Sequence, residues 1–170
     1  MKTIRTVLSA AVVALLVAAP LSASAATPDD RVSVRFVQPE RFTDVRGGLH
    51  DVASARDALL ADLQAWIEQR ANPLLGPGQR LEVSVTDIDL AGDFEPLRRT
   101  SGESLRVVRG VTPPRIDLDF KLVSADSQEL RSGSRKLRDL GFQTRLTVSR
   151  SDPLRFEKGL LADWMSQELR

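Results

Sequence analysis

The chain contains no cysteine. That absence removes thiol nucleophiles, thiol redox chemistry and thiolate metal sites, and with no disulfide framework the fold has to rest on its core alone. Histidine is nearly as scarce, with His50 the single example. A zinc site built on several His or Cys ligands is therefore excluded. A Ser-His-Asp triad needs only one histidine, but no G-x-S-x-G elbow accompanies this one, and His50 beside Gly47-Gly48 reads first as a solvated loop residue. Phosphate cradles are missing too: "GGLH" and "GPGQR" match neither G-x-G-x-x-G nor a P-loop. The aromatics are six Phe and two Trp, mostly at core-like positions, so no stacking platform for bases or sugars is indicated. Lysine is limited to Lys2, Lys121, Lys136 and Lys158 against a large arginine set. A GC-rich genome accounts for that bias most simply; the alternative is recognition of carboxylate or phosphate by planar Arg forks.

Nor is there an excess of either charge. The 24 basic and 23 acidic side chains nearly cancel, which argues against a general nucleic-acid binder. Only one long apolar run occurs, Val7 to Ala19, after the basic head Lys2 and Arg5 and before Pro20 and the small-x-small exit Ala23-Ser24-Ala25. Those parts define a secretory signal peptide over 1–25, cleaved near Ala25. The run is shorter than the ~20 residues that a membrane-spanning helix needs, and no Cys at the exit offers a lipid anchor. The expectation is a periplasmic protein with no transmembrane anchor after cleavage and a single domain over 26–170. A domain of that size buries roughly 70% of its unfolded surface and needs no staples.

What is present is a sequence of alternating elements. "RVSVRFV" alternates Val32, Val34 and Phe36 with polar residues, as a strand with one dry face does. The region 52–71 carries Val52, Leu59, Leu63 and Trp66 or Ile67 on one helical stripe, with Asp51 or Ser54 available as a cap and "ANPLLGPGQ" as the stop. "RLEVSVTDIDL" starts as a strand with Leu81, Val83 and Val85 on one face. It then changes phase at Asp87, so either a bulge resets the register or the strand leaves the core there. "GDFEPLRRTSGES" reads as a loop, "LRVVR" as a short strand, "RIDLDFKLV" as the cleanest strand, "QELRSGSRKL" as its return, and "RLTVS" as a further short one. Asp152-Pro153 opens a last helix with Phe156, Leu160 and Trp164 on its apolar face. The order β-α-β-β-β-β-α predicts an α+β fold: a mostly antiparallel sheet of four to five strands, two helices packed on one face, and one parallel pair from the strand–helix–strand opening.

Asp87, Asp89 and Asp93 fall within seven residues and admit three readings. A calcium loop fails the twelve-residue template, because Ala91 and Arg98 stand where oxygen donors belong. Paired carboxylates for acid–base hydrolysis fit the spacing of Asp87 and Asp89 but need a cleft. The structural reading has the acids holding a strand exit by accepting N–H bonds and pairing with Arg98, Arg99, Arg106, Arg109 or Arg115. No catalytic residue, resident metal or cofactor is assigned, and the balance leans away from an enzyme.

"PERFTDVR" (Pro39–Arg46), "VTDIDLAGDFE" (Val85–Glu95), "VVRGVTPPRIDLDFKL" (Val107–Leu122) and "FEKGLLADW" (Phe156–Trp164), in this order, resemble the uncharacterised bacterial family catalogued as domain of unknown function 3016. The resemblance spans nearly the whole mature chain. It implies a secreted envelope protein and no particular activity, and within its segments Asp44, Asp87, Asp89 and Arg115 stand out. With Asp93 and Arg109 these make the candidate binding set. The expected role is a soluble accessory or binding protein whose partner is an envelope protein or a small ligand. The alternatives are a hydrolase using Asp87 or Asp89 with His50, and a calcium-stabilised structural domain.

Overall fold

Val32 and Val34 are buried while Ser33 and Arg35 between them are exposed, so the first alternating run folds as strand β1 (Val32–Phe36) with a single dry face. The computed structural model describes residues 31–45, 52–95, 105–144 and 151–170. The leader, His50, Asp51, Arg98, Arg99 and "RLTVS" lie outside them. Helix α1 (Val52–Ala71) follows. Its buried side chains are Leu60, Leu63, Ile67 and Ala71, while Leu59 and Trp66 pack half-buried at the margin. The inward face is thus rotated slightly from the expected stripe. A 3-10 turn at Asn72–Leu74 ends the helix where Pro73 can no longer donate a backbone bond.

The strands that follow are β2 (Arg80–Asp89), β3 (Asp93–Glu95), β4 (Leu105–Val107), β5 (Arg115–Val123) and β6 (Glu129–Arg138), and helix α2 (Arg155–Glu168) closes the order. The main sheet runs β1-β2-β5-β6. β1 and β2 are parallel, with Val32 opposite Leu81 and Val34 opposite Val83; the other two pairings are antiparallel. The single parallel pair is the one bridged by α1. This is the expected α+β architecture, with two differences. "GDFE" is not all loop: it supplies β3. "LRVV" does not enter the meander, because β4 pairs with β3 in a separate two-stranded ribbon.

The phase change in β2 is a bulge. Val85 faces Leu118 and Asp87 faces Asp117, so Thr86 is the extra residue, and its hydroxyl donates to the Asp117 carbonyl at 3.2 Å. One inserted residue flips the parity of all that follow. Ile88 returns to the core opposite Ile116, and Asp87 and Asp89 turn away from it.

Both helices cover the same face. Val34, Leu63, Ile67, Val83, Leu118, Leu161 and Met165 belong to one continuous core, within which Phe120 meets Trp164 edge to face at 5.6 Å. Lys158 ties the helices together, donating to Asp62 at 3.0 Å and to Asp152 at 2.9 Å. The expected cap works one step early: Asp152 Oδ1 accepts the Leu154 N–H at 2.8 Å, and regular helix starts at Arg155. A smaller core of Ala91, Phe142 and Phe156 sits beyond the end of β2, with the two rings edge to face at 4.9 Å. On the opposite face of the sheet Glu82, Asp119, Lys121, Ser134 and Lys136 are exposed.

Candidate functional site

Once the bulge has turned Asp87 and Asp89 outward, each meets a specific partner. Asp87 binds the segment that follows β1: Oδ1 accepts the Thr43 N–H and Oδ2 accepts the Thr43 hydroxyl, both at 2.7 Å. The next residue extends the same seam as one rung of parallel pairing. Asp44 N–H donates to the Ile88 carbonyl at 3.0 Å, and Leu90 N–H donates to the Asp44 carbonyl at 3.1 Å. The chain therefore rejoins β2 beyond the end of β1, and Asp87 fixes where it does so.

Asp44 is buried at 7% exposure, and its side chain meets Arg106 of β4, whose Nη2 donates to Oδ2 at 2.9 Å. The other arm of that guanidinium, Nη1, donates to the Gly92 carbonyl at 3.1 Å. Glu157, in the first turn of α2, reaches the same turn and accepts the Ala91 N–H on Oε1 at 2.7 Å. Gly92 donates to the Thr112 carbonyl at 3.1 Å. The Leu90–Gly92 turn is thus satisfied by side chains and loops rather than by a sheet ladder, as buried backbone groups require partners of some kind. Gly92 adopts φ 85°, and a Cβ there would lie 2.6 Å from the Val107 carbonyl, so only glycine fits between β2 and the ribbon.

Asp89 stands opposite Arg115 in the β2–β5 register, with Arg115 Nε 3.1 Å from Asp89 Oδ2. The Nε–H meets no acceptor with hydrogen-bond geometry, so the contact is Coulombic. Burial raises the pKa of Asp89. Arg115 opposes that, the Asp44 and Asp87 charges reinforce it, Arg106 opposes it again, and the net result lies above the ordinary carboxylate value. Glu157 is also raised, by burial first, against the Ala91 N–H and the Arg106 and Arg155 charges. Its Oε2 is buried without a hydrogen-bond partner.

Of the six candidate residues, Asp44, Asp87, Asp89 and Arg115 converge at the end of β2. Asp93 is exposed at the first position of β3 and Arg109 is exposed after β4; neither is without a partner. Thr43 and Glu157 were not singled out in the sequence, and Arg106 only as one of five possible partners. For Glu157 a signal was available: it lies one helical turn before Leu160 and Leu161, an acid on an apolar stripe. Among the described residues no group of three or more His, Asp or Glu side chains is placed to hold a metal ion. A hollow of about 440 Å³ lies at the other end of β2, between Arg31 and Val32 on one side and Glu68, Gln69 and Asn72 on the other, away from the acids.

These features define a class: an α+β domain whose half-covered sheet is locked, at the end of its second strand, by an Asp–Arg–Glu junction. The family model described as "Protein of unknown function (DUF3016)" matches residues 30–167, and the chain belongs to that family. No curated protein and no solved structure matches it. Among the described residues no helix is long and apolar enough to cross a membrane.

Proposed function

We propose that this protein is an exported accessory module of the bacterial envelope that binds a protein or small-molecule partner and performs no turnover. The observation that carries this reading is the commitment of the carboxylates. Asp87 uses both oxygens on Thr43, Asp44 holds Arg106, and Asp89 faces Arg115. A general acid or base must reach a substrate proton, and a cation site must offer uncommitted oxygens. Acids bound in this way instead fix the shape of the surface around them, with Asp93 and Arg109 exposed at its rim. The basic head, apolar run and small-residue exit at the N-terminus support export.

Expression of the full chain in a bacterial host, followed by fractionation and N-terminal sequencing, tests the compartment. Recovery in the periplasm with Ala26 first supports it; an uncut leader held in the inner membrane overturns it. The raised pKa of Asp89 is the one observation that favours a hydrolase. That alternative requires measurable turnover that Asp89→Asn and His50→Ala each abolish, whereas the accessory reading expects Asp87→Asn and Asp89→Asn to alter stability or partner capture alone. A melting temperature that rises with added calcium, and ceases to do so in those variants, would favour the calcium-stabilised domain instead.

A further inference from the structure

Among the described residues β6 is the end of the main sheet: β5 takes one side of it and no strand takes the other. All ten of its residues are exposed or half-exposed. Such an edge offers a row of unpaired N–H and C=O groups to an incoming strand. The bulge at Leu130, where Leu122 faces Arg131 but Val123 faces Glu129, limits the regular part to Arg131–Arg138. That part is held in place from behind. Arg131 Nη1 donates to the carbonyls of Gln167 at 3.2 Å and Glu168 at 3.0 Å at the end of α2. Arg135 Nε donates to the Glu168 carboxylate at 2.7 Å, and its guanidinium lies 5.1 Å over the Phe120 ring. A template that is already ordered lowers the cost of adding a strand to it.

The edge also carries a sign. Arg131, Arg135, Lys136 and Arg138 stand against Glu129 alone. The first two are tied to Glu168, but Lys136 and Arg138 are exposed and form no ion pair among the described residues, Lys136 standing across from Asp117 without closing on it. Two copies paired edge to edge would set these cations against one another, which disfavours self-pairing. The same charges favour a strand of opposite sign.

We propose that β6 is a β-augmentation site for an extended, acidic segment of a partner protein, which adds to the sheet along Arg131–Arg138 and places its carboxylates over Lys136 and Arg138. Main-chain bonds supply the affinity in this mode and the charges supply selection. Export is not required for it, since the edge belongs to the folded domain. The test is an NMR titration of the isotope-labelled protein with the capped peptide Thr-Glu-Val-Glu-Thr-Glu-Val-Glu and with its counterpart carrying Lys for Glu. The acidic peptide is expected to shift and protect amides of Arg131–Arg138, with an affinity that falls as salt rises. The double variant Lys136→Glu/Arg138→Glu, which changes exposed side chains only, is expected to weaken binding by roughly tenfold or more with an unchanged circular dichroism spectrum. Equal binding of both peptides, protection elsewhere or nowhere, full binding by the double variant, or protection of β6 by self-association without peptide would each overturn the proposal.

Discussion

Glu157 offers the sharpest test of the junction. Its side chain is 1% exposed, one oxygen accepts the Ala91 N–H at 2.7 Å, and the other has no hydrogen-bond partner. Two substitutions separate what the residue does. Glu157→Gln keeps an oxygen for Ala91 and removes the charge; Glu157→Ala removes both. Stranding a buried N–H costs about 1–3 kcal/mol, and losing the one buried methylene that Gln keeps adds up to about 0.8 kcal/mol. The Ala variant is therefore expected to be roughly 2–4 kcal/mol less stable than the Gln variant, a gap of about 4–16 °C in Tm for a domain of this size. The pH dependence has a definite sign. Burial raises the pKa in the folded state above the ordinary value of 4.5, so the folded protein holds this proton more tightly than the unfolded chain does. Its contribution to stability is complete below pH 4.5 and is lost as pH rises through the raised folded value. Urea unfolding at a series of pH values reads this directly: wild type should fall behind Glu157→Gln as pH rises. Equal stability of the Gln and Ala variants would refute the assigned hydrogen bond. A wild-type-minus-Gln difference that is flat with pH would refute the burial argument.

Three further outcomes follow from the same contacts. Asp87→Ala should cost roughly 1–2 kcal/mol by releasing two bonds to a surface residue, and should speed hydrogen exchange at the Thr43 amide, while Asp87→Asn retains about half of that stability. A double-mutant cycle on Asp44→Asn and Arg106→Gln, read by chemical denaturation, should give a coupling of roughly 1–3 kcal/mol, because the pair shares one network at low exposure. Lys158→Met should flatten stability at both extremes of pH. Burial works against the charge on Asp152, but the Lys158 ammonium and the Leu154 N–H outweigh it and hold its pKa below 3.8; that stability is lost as pH falls through the folded value. Burial likewise opposes the Lys158 charge, but Asp152 and Asp62 raise its pKa above 10.5, and that stability is lost as pH rises through the folded value.

How much of this was legible depends on whether the signal is periodic. β1, β5 and α2 were readable because an alternating or four-residue pattern reports directly which face is dry: Val32 and Val34, then Ile116, Leu118, Phe120 and Leu122, and then Phe156, Leu160 and Trp164 are all buried. The break of phase at Asp87 was legible as a choice between two causes, and Ile88 at 1% exposure decides for the bulge. The β3–β4 ribbon was not legible. Three-residue strands carry too little alternation to be told from loop, and the close approach of Gly92 to Val107 beside them has no periodic signal in the sequence. The site was half legible for the same reason. Aspartates clustered at a strand exit announce themselves, and an arginine partner downstream was a fair inference, but which arginine reaches which acid is a property of the folded chain.

The junction explains why acids gather at that point. Beyond the bulge β2 has lost β1 as a neighbour, and past Asp89 its pairing with β5 ends as well, so the backbone from Leu90 to Gly92 has no continuous ladder to close its hydrogen bonds. Asp44 supplies one rung by its own backbone, Arg106 caps the Gly92 carbonyl, and Glu157 takes the Ala91 N–H. Each of these groups comes from a different stretch of chain: the segment after β1, the ribbon and α2. An apolar contact could bury the same surface but could not pair those N–H and C=O groups, and leaving even one unpaired costs about 1–3 kcal/mol. Polar side chains at this seam are therefore what the interruption of the sheet demands before any ligand is considered. A binding role for the surrounding surface would be built on that lock rather than in place of it.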